Sequence, residues 1–115
     1  VGSSSKAAPF PSTKPGISGL DTLLPLMLKL AEDGALPLAR ALDAVTAAPA
    51  RCLGIQAGHL EPGRPASLCV LAADESRTLS SHWLSAGRNS PWLHSRLPGV
   101  VKLTVCQGRV SWLSD

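Results

Sequence analysis

The spacing of apolar residues changes near Gly54, and this change constrains the fold more than any other feature of the sequence. Before Gly54, apolar residues recur every three or four positions, as they do along one face of an amphipathic helix. After it, short apolar stretches alternate with glycine and proline, which is typical of strands joined by turns. The chain of 115 residues therefore combines a helical half with a half built from strands.

The first helix is expected from about Leu20 to Glu32, and it should stop near Gly34 because glycine commonly terminates helices. Burying each large apolar side chain contributes roughly 1.5 to 3 kcal/mol, whereas fixing each backbone residue costs roughly 1 to 2 kcal/mol. The helix therefore needs a larger apolar surface to pack against. Its apolar face consists of Leu20, Leu23, Leu24, Met27, Leu28 and Ala31.

The remaining elements follow from the same patterns. Pro37 suits the first turn of a second helix, Thr46–Pro49 should break it, and Ala50–Leu53 should add one more turn. Ser85–Leu97 is expected to be a loop, holding Asn89 among others. The division is then a loop over 1–19, helices over 20–54 and strands over 55–115. The expected strands are Ile55, Leu68–Ala72, and a hairpin of Val100–Cys106 and Arg109–Trp112 around Gln107-Gly108.

Composition excludes several classes of protein. The chain is 44% apolar, which does not fit a disordered tail, and its net charge of +3 is spread without a run of three basic residues, which disfavours nucleic-acid binding. No apolar run is long enough for a membrane span, and no leader is visible, so a cytoplasmic location is expected by default. Three cysteines in apolar contexts are predicted to be reduced core thiols: Cys52, Cys69 and Cys106.

Motifs for catalysis are missing from the sequence. The histidines at 59, 82 and 94 lack metal-ligand spacing, and neither a Gly-x-Ser-x-Gly elbow nor a phosphate-binding glycine loop occurs. The segment Pro15–Leu26 is more informative, because Gly16 and Gly19 bracket a turn in front of the first helix. Ser18 is expected to accept a hydrogen bond from an amide at the helix start. The loop is thus a candidate backbone donor site without chemistry of its own.

Four segments stand out when they are taken in order: Pro15-Gly16-Ile17-Ser18-Gly19-Leu20-Asp21-Thr22, Val45-Thr46-Ala47-Ala48-Pro49-Ala50-Arg51, Gly58-His59-Leu60-Glu61-Pro62-Gly63-Arg64-Pro65-Ala66-Ser67-Leu68, and Gly87-Arg88-Asn89-Ser90-Pro91-Trp92 followed by Leu97-Pro98-Gly99 and the hairpin. Together they resemble the C-terminal part of dihydroorotases within the amidohydrolase superfamily. Three positions depart from the family pattern: Asp21 stands for Glu, Ala48 for Asn and Ser67 for Asp.

The resemblance implies an α/β fold in which the last loop and helices of a TIM barrel precede strands of a small β-sandwich. It implies reversible cyclisation of N-carbamoyl-aspartate to dihydroorotate, run by zinc. No catalytic residue and no metal ligand can be assigned in this chain, and only Pro15 and Gly16 match a substrate-contacting position. The family's general-base aspartate is expected just upstream of Lys6–Phe10, where Val1–Ser5 stands, so we expect either a cut or replaced chain or a degenerate relative.

Alternatives remain at this point. A non-catalytic dihydroorotase-like protein could act as a structural partner of aspartate carbamoyltransferase. The sequences of Lys6–Phe10 and Gly16–Leu20 are similar to those of that lineage. Hydantoinases and allantoinases share the C-terminal architecture, so the cyclic amide is open. A free-standing binding module is a third class. If the chain is part of a dihydroorotase, or of a dihydroorotase-like protein, its partner is the N-terminal remainder of the barrel. Neither nucleic acid nor a membrane is expected as a partner.

Overall fold

The computed structural model describes residues 3–80 and 84–114 of the chain, so His82 lies outside the described residues. Helices fill the first half and strands the second, as the change in apolar spacing predicts. The helices are α1 (Leu23–Glu32), α2 (Leu38–Asp43) and α3 (Ala47–Leu53), and short 3-10 turns lie at Ser3–Lys6, Phe10–Ser12 and Leu20–Thr22. The strands are β1 (Leu68–Thr78), β2 (Arg96–Cys106) and β3 (Arg109–Leu113).

The first helix matches its prediction closely. A 3-10 turn at Leu20–Thr22 leads directly into α1, which ends at Glu32. Gly34 follows with a φ of 73°, the left-handed conformation that glycine adopts at little cost. Lys29 and Asp33 form an ion pair of 2.9 Å one turn apart on the exposed side.

The prediction for the third helix is wrong at its start. The sequence favours a break over Thr46–Pro49, whereas α3 already begins at Ala47. Pro49 is tolerated because it lies in the first turn, where no amide has an acceptor within the helix. The Thr46 hydroxyl donates to the Leu42 carbonyl at 2.7 Å, which joins the two short helices. The Asp43 carboxylate also forms an ion pair with the Arg51 guanidinium, at 3.1 Å, across that junction.

The three strands form one antiparallel sheet in the order β1-β2-β3. β1 is longer than predicted, because it continues past Ala72 to Thr78, where it pairs with Arg96 at the start of β2. A register shift between Ala72 and Ser76 absorbs the irregular, polar part of the strand. Ile55 is not in a strand, so that prediction is wrong.

The hairpin between β2 and β3 confirms the predicted turn, but β2 begins at Arg96 and not at Val100, so the expected loop over Ser85–Leu97 ends too late. Gln107 and Gly108 have φ values of 49° and 80°, as a two-residue turn with two left-handed positions requires. The Gln107 N–H donates to the Ser67 hydroxyl at 3.1 Å, and the Gly108 N–H donates to the Ala66 carbonyl at 2.7 Å. Ser67 therefore makes a side-chain contact to this turn, although it stands where the family has Asp.

The core lies where α1 crosses β2. Gly99 of β2 has a φ of 83°, and a Cβ added there would overlap Cδ1 of Leu28. A side chain at position 99 would therefore have to displace the end of the Leu28 side chain, so glycine suits this crossing. The most deeply buried apolar residues are Leu28, Ala41, Ala50, Leu79 and Leu97.

The prediction that the cysteines are core thiols is wrong. Cys52, Cys69 and Cys106 are free and exposed. Cys69 and Cys106 lie on the sheet and line an open groove, where they stay exposed. An apolar sequence context identifies a residue suited to burial, but it does not show that another element covers the residue.

Candidate functional site

The loop in front of α1 is held by a segment near the start of β2. The Ser18 N–H donates to the main-chain carbonyl of Asn89 at 2.7 Å. The Asn89 side chain returns a longer hydrogen bond, from Nδ2 to the Gly16 carbonyl, at 3.5 Å. Pro15 and Gly16, the two predicted substrate-contacting residues, are exposed beside these bonds, and Gly16 has a φ of 96°. The site is therefore a surface loop with an internal clamp.

A second set of bonds holds the start of the helix. The Asp21 carboxylate accepts from the Leu84 N–H at 3.3 Å and from the Ser85 hydroxyl. The Asp21 carbonyl accepts from Nη2 of Arg77 at 3.3 Å. The family pattern has Glu at position 21. The shorter Asp side chain present here still reaches Leu84 and Ser85. The loop and the helix start are thus tied to residues 77–89 at separate points.

The predicted role of Ser18 as a helix cap is wrong. Its Oγ is buried and has no hydrogen-bond partner within the described ranges 3–80 and 84–114. The Thr22 side chain, which precedes α1, provides no cap either, and its hydroxyl instead donates back to the Gly19 carbonyl at 3.1 Å. The 3-10 turn over Leu20–Thr22 separates Ser18 from the first turn of α1, which explains why its oxygen does not reach an amide there.

The loop presents backbone donors. The N–H groups of Gly16 and Ile17 have no acceptor among the residues that the structure describes. Exposed N–H groups next to each other can bind a carbonyl or carboxylate oxygen. The loop can therefore orient a ligand that carries such oxygens.

A groove of about 730 Å³ lies between the beginning of α1, the end of α2 and the sheet. Leu20 and Leu60, which line it, are 84% and 75% exposed. This corrects part of the prediction for α1, because Leu20 belongs to the face expected to be buried. The apolar lining also includes Leu23, Leu24, Leu42, Val45, Leu68, Leu71 and Val105.

The described residues do not fit a zinc site. His59 lies at the groove, and His94 lies in the turn before β2, where its N–H donates to the Leu79 carbonyl at 2.8 Å. Within residues 3–80 and 84–114, no group of three or more His, Cys, Asp or Glu side chains could hold a metal ion. In the same ranges, no helix is long and apolar enough to cross a bilayer.

Sequence reasoning named Pro15 and Gly16 but missed the roles of Asn89 and Asp21. Asn89 stood out only as part of a segment resembling the family, and its contact with Gly16 spans 73 positions. Such a contact leaves no local pattern in a sequence. Gly16 and Asn89 both lie in segments that resemble the family, and this shared resemblance is the sequence feature that connects them.

Known proteins match nearly the whole chain. The profile of the Amidohydrolase family matches residues 13–111. A "Dihydroorotase-like protein" of Pseudomonas aeruginosa is 40% identical over 106 residues, which are 92% of this chain and 25% of that protein. A "Dihydroorotase" of Syntrophus aciditrophicus is 37% identical over 111 residues, or 96% of this chain and 26% of that protein.

A "Dihydroorotase" of Streptococcus pneumoniae is 38% identical over 96 residues, which are 83% of this chain and 23% of that protein. The chain thus spans about a quarter of the length of the curated relatives that it matches. The match includes both the Pro15–Gly19 loop and Asn89, the two parts that the structure brings together. The chain belongs to the amidohydrolase family.

Proposed function

We propose that these residues form the C-terminal part of a dihydroorotase-type cyclic amide hydrolase. Its reaction would be the reversible conversion of N-carbamoyl-aspartate into dihydroorotate, with release of water on ring closure. The similarity to proteins named dihydroorotase supports this, since it extends over most of the chain. The observation that carries it is the clamped Pro15–Gly19 loop, whose free N–H groups suit a substrate with several carbonyl and carboxylate oxygens.

The contribution of this chain is binding rather than bond cleavage. Pro15 and Gly16 would lie against the ring or its open form, and the N–H groups of Gly16 and Ile17 would donate to its oxygens. The zinc of the family would polarise an amide and activate water. Its ligands would belong to residues outside this chain, since the described side chains do not fit a metal.

The apolar groove supports a larger fold around this chain. We infer that the helices complete a TIM barrel and that the sheet joins further strands in a small sandwich. The strands β1 and β3 are the edges of the sheet, and each leaves one row of backbone groups open to a further strand. The remainder of the barrel would cover Leu20, Leu60 and their neighbours in the groove. The cytoplasmic location remains a prediction.

The test compares two proteins, the 115 residues alone and the same residues with the coding sequence upstream of Val1. We expect the longer protein to bind zinc and to hydrolyse dihydroorotate, and the short one to do neither. Hydantoin and allantoin are assayed in parallel, because turnover of these alone would assign another cyclic amide. Stoichiometric zinc and turnover by the short protein would overturn the proposal.

A second candidate is a non-catalytic structural partner of aspartate carbamoyltransferase. The motive for this candidate is that the Pseudomonas aeruginosa relative is named "Dihydroorotase-like protein" and not dihydroorotase. In that case, the longer protein would co-purify with the transferase and would lack a complete set of metal ligands upstream. A His-x-His together with a Ser-Asp-His-x-Pro-His in the upstream sequence would exclude this candidate. A sharp thermal unfolding transition of the 115 residues alone would instead favour a free-standing binding module.

A further inference from the structure

We propose that Asn89 is a positioning residue that sets the orientation of the Gly16–Ile17 peptide for substrate binding. This inference rests on the proposed function of the Pro15–Gly19 loop. Asn89 is the residue that contacts the loop twice, accepting from the Ser18 N–H at 2.7 Å and donating to the Gly16 carbonyl at 3.5 Å. The main-chain bond fixes where the loop lies, and the side-chain bond fixes which way one peptide faces.

Asn89 directly precedes a turn that is bonded to the end of β1. The turn that follows it is closed by a hydrogen bond from the Trp92 N–H to the Ser90 hydroxyl at 3.3 Å. The turn then joins the end of β1, where the Leu79 N–H donates to the Ser95 carbonyl at 2.9 Å. Leu79 is among the most deeply buried residues of the chain. Asn89 is therefore attached to a rigid element, as positioning groups require.

The direction of the Gly16 carbonyl determines the direction of the next donor. In a trans peptide the C=O and the following N–H point to opposite sides. With its carbonyl directed at Asn89, the peptide turns the Ile17 N–H away from Asn89, and that N–H has no acceptor within the described ranges. Gly16 has a φ of 96° and no side chain, so without the bond its peptide can rotate readily.

The chemistry of the Asn side chain matters at this position. Asp has the same shape but offers only acceptor oxygens, so Asn89→Asp would set a negative charge against the Gly16 carbonyl. Asn89→Ala would remove the side-chain donor and keep the main-chain acceptor. The start of α1 is held separately through Asp21 and Ser85, so neither substitution should unfold the region.

The experiment uses the protein with its upstream sequence and measures amide hydrogen exchange at Ser18, with KM and kcat for dihydroorotate. We expect Asn89→Asp to accelerate exchange of the Ser18 amide, because the loop loses its second bond to Asn89, and to raise KM by about tenfold, the loss typical of one hydrogen bond. The value of kcat should stay within about twofold, since a contact made equally in ground and transition states affects KM. Asn89→Ala should have the same effects, but smaller.

The matched control is Gln107→Glu, the same amide-to-acid change on the exposed hairpin turn. It should leave exchange at Ser18, KM and the thermal unfolding temperature unchanged. Unchanged exchange in Asn89→Asp would overturn the proposal, as would faster exchange with an unchanged KM. If the unsubstituted protein neither binds nor turns over a cyclic amide, the proposed function fails and the role in substrate binding fails with it. The exchange rates would then still decide whether Asn89 orients the loop.

Discussion

The beginning and the middle of the first helical segment meet different surroundings. In the middle of α1, Leu28 is only 5% exposed and packs against Gly99 of β2. At its beginning, Leu20 is 84% exposed and lines the apolar groove with Leu60. Both leucines belong to the same three-and-four pattern along the sequence. The pattern therefore specifies the helix and its apolar face, but not whether the covering surface is part of this chain.

The largest expected effect comes from the packed side. Leu28→Ala should lower the free energy of opening of α1 and β2 by about 2–5 kcal/mol, because it removes a buried side chain and leaves a cavity. Native-state hydrogen exchange of the β2 amides in the protein with its upstream sequence measures this directly. Leu30→Ala is the control, since Leu30 lies on the same helix but is 37% exposed. Equal losses for the two substitutions would contradict the packing difference.

The second effect tests the close approach of α1 and β2. Gly99→Ala and Gly63→Ala both introduce a side chain at a left-handed φ, which is 83° at Gly99 and 85° at Gly63. Only the Cβ at position 99 would meet Leu28, whereas the Cβ at 63 meets nothing within 4 Å. We expect Gly99→Ala to destabilise the protein by about 1–3 kcal/mol more, the usual cost of overpacking.

A double-mutant cycle shows whether that excess arises from Leu28. In the Leu28→Ala background the added methyl group has room, so the excess cost of Gly99→Ala should largely disappear. The free energies come from the same hydrogen-exchange measurement. An unchanged excess would mean that the left-handed backbone at Gly99, and not the neighbouring side chain, determines the cost.

The elements that were predicted correctly depend on short-range signals. The end of α1 follows from Gly34, and the β2–β3 hairpin follows from Gln107-Gly108 between β-branched runs. In each case a residue type suits a backbone conformation within a few positions. The start of α3 was missed because Pro49 suggests a break, although a proline in a first turn is compatible with a helix.

The features that were not predicted depend on distant parts of the chain. The extension of β1 to Thr78 follows from pairing with Arg96, and the clamp on Gly16 follows from Asn89. The exposed state of Cys69 and Cys106 depends on how the helices lie beside the sheet. Spacing along a sequence reports which face of an element is apolar, whereas contacts over many positions depend on how the elements assemble.

The smallest expected effect tests the groove side and the larger fold proposed around it. In the protein with its upstream sequence, Leu60→Ala should cost roughly 1–2 kcal/mol, because the barrel would bury a side chain that is 75% exposed here. Leu53→Ala is the control, since Leu53 is 73% exposed but does not line the groove. Its effect should stay within about 0.5 kcal/mol, as at most surface positions.

The same pair of substitutions in the 115 residues alone completes the comparison. There, Leu60→Ala should lower the stability no more than Leu53→Ala, because nothing in the described chain covers either side chain. Thermal unfolding of each variant provides the measurement. If Leu60→Ala is silent in the longer protein as well, the groove stays open to solvent, and its apolar lining would have to serve another contact. A loss of stability found only in the longer protein would instead show that upstream residues cover the groove beside α1.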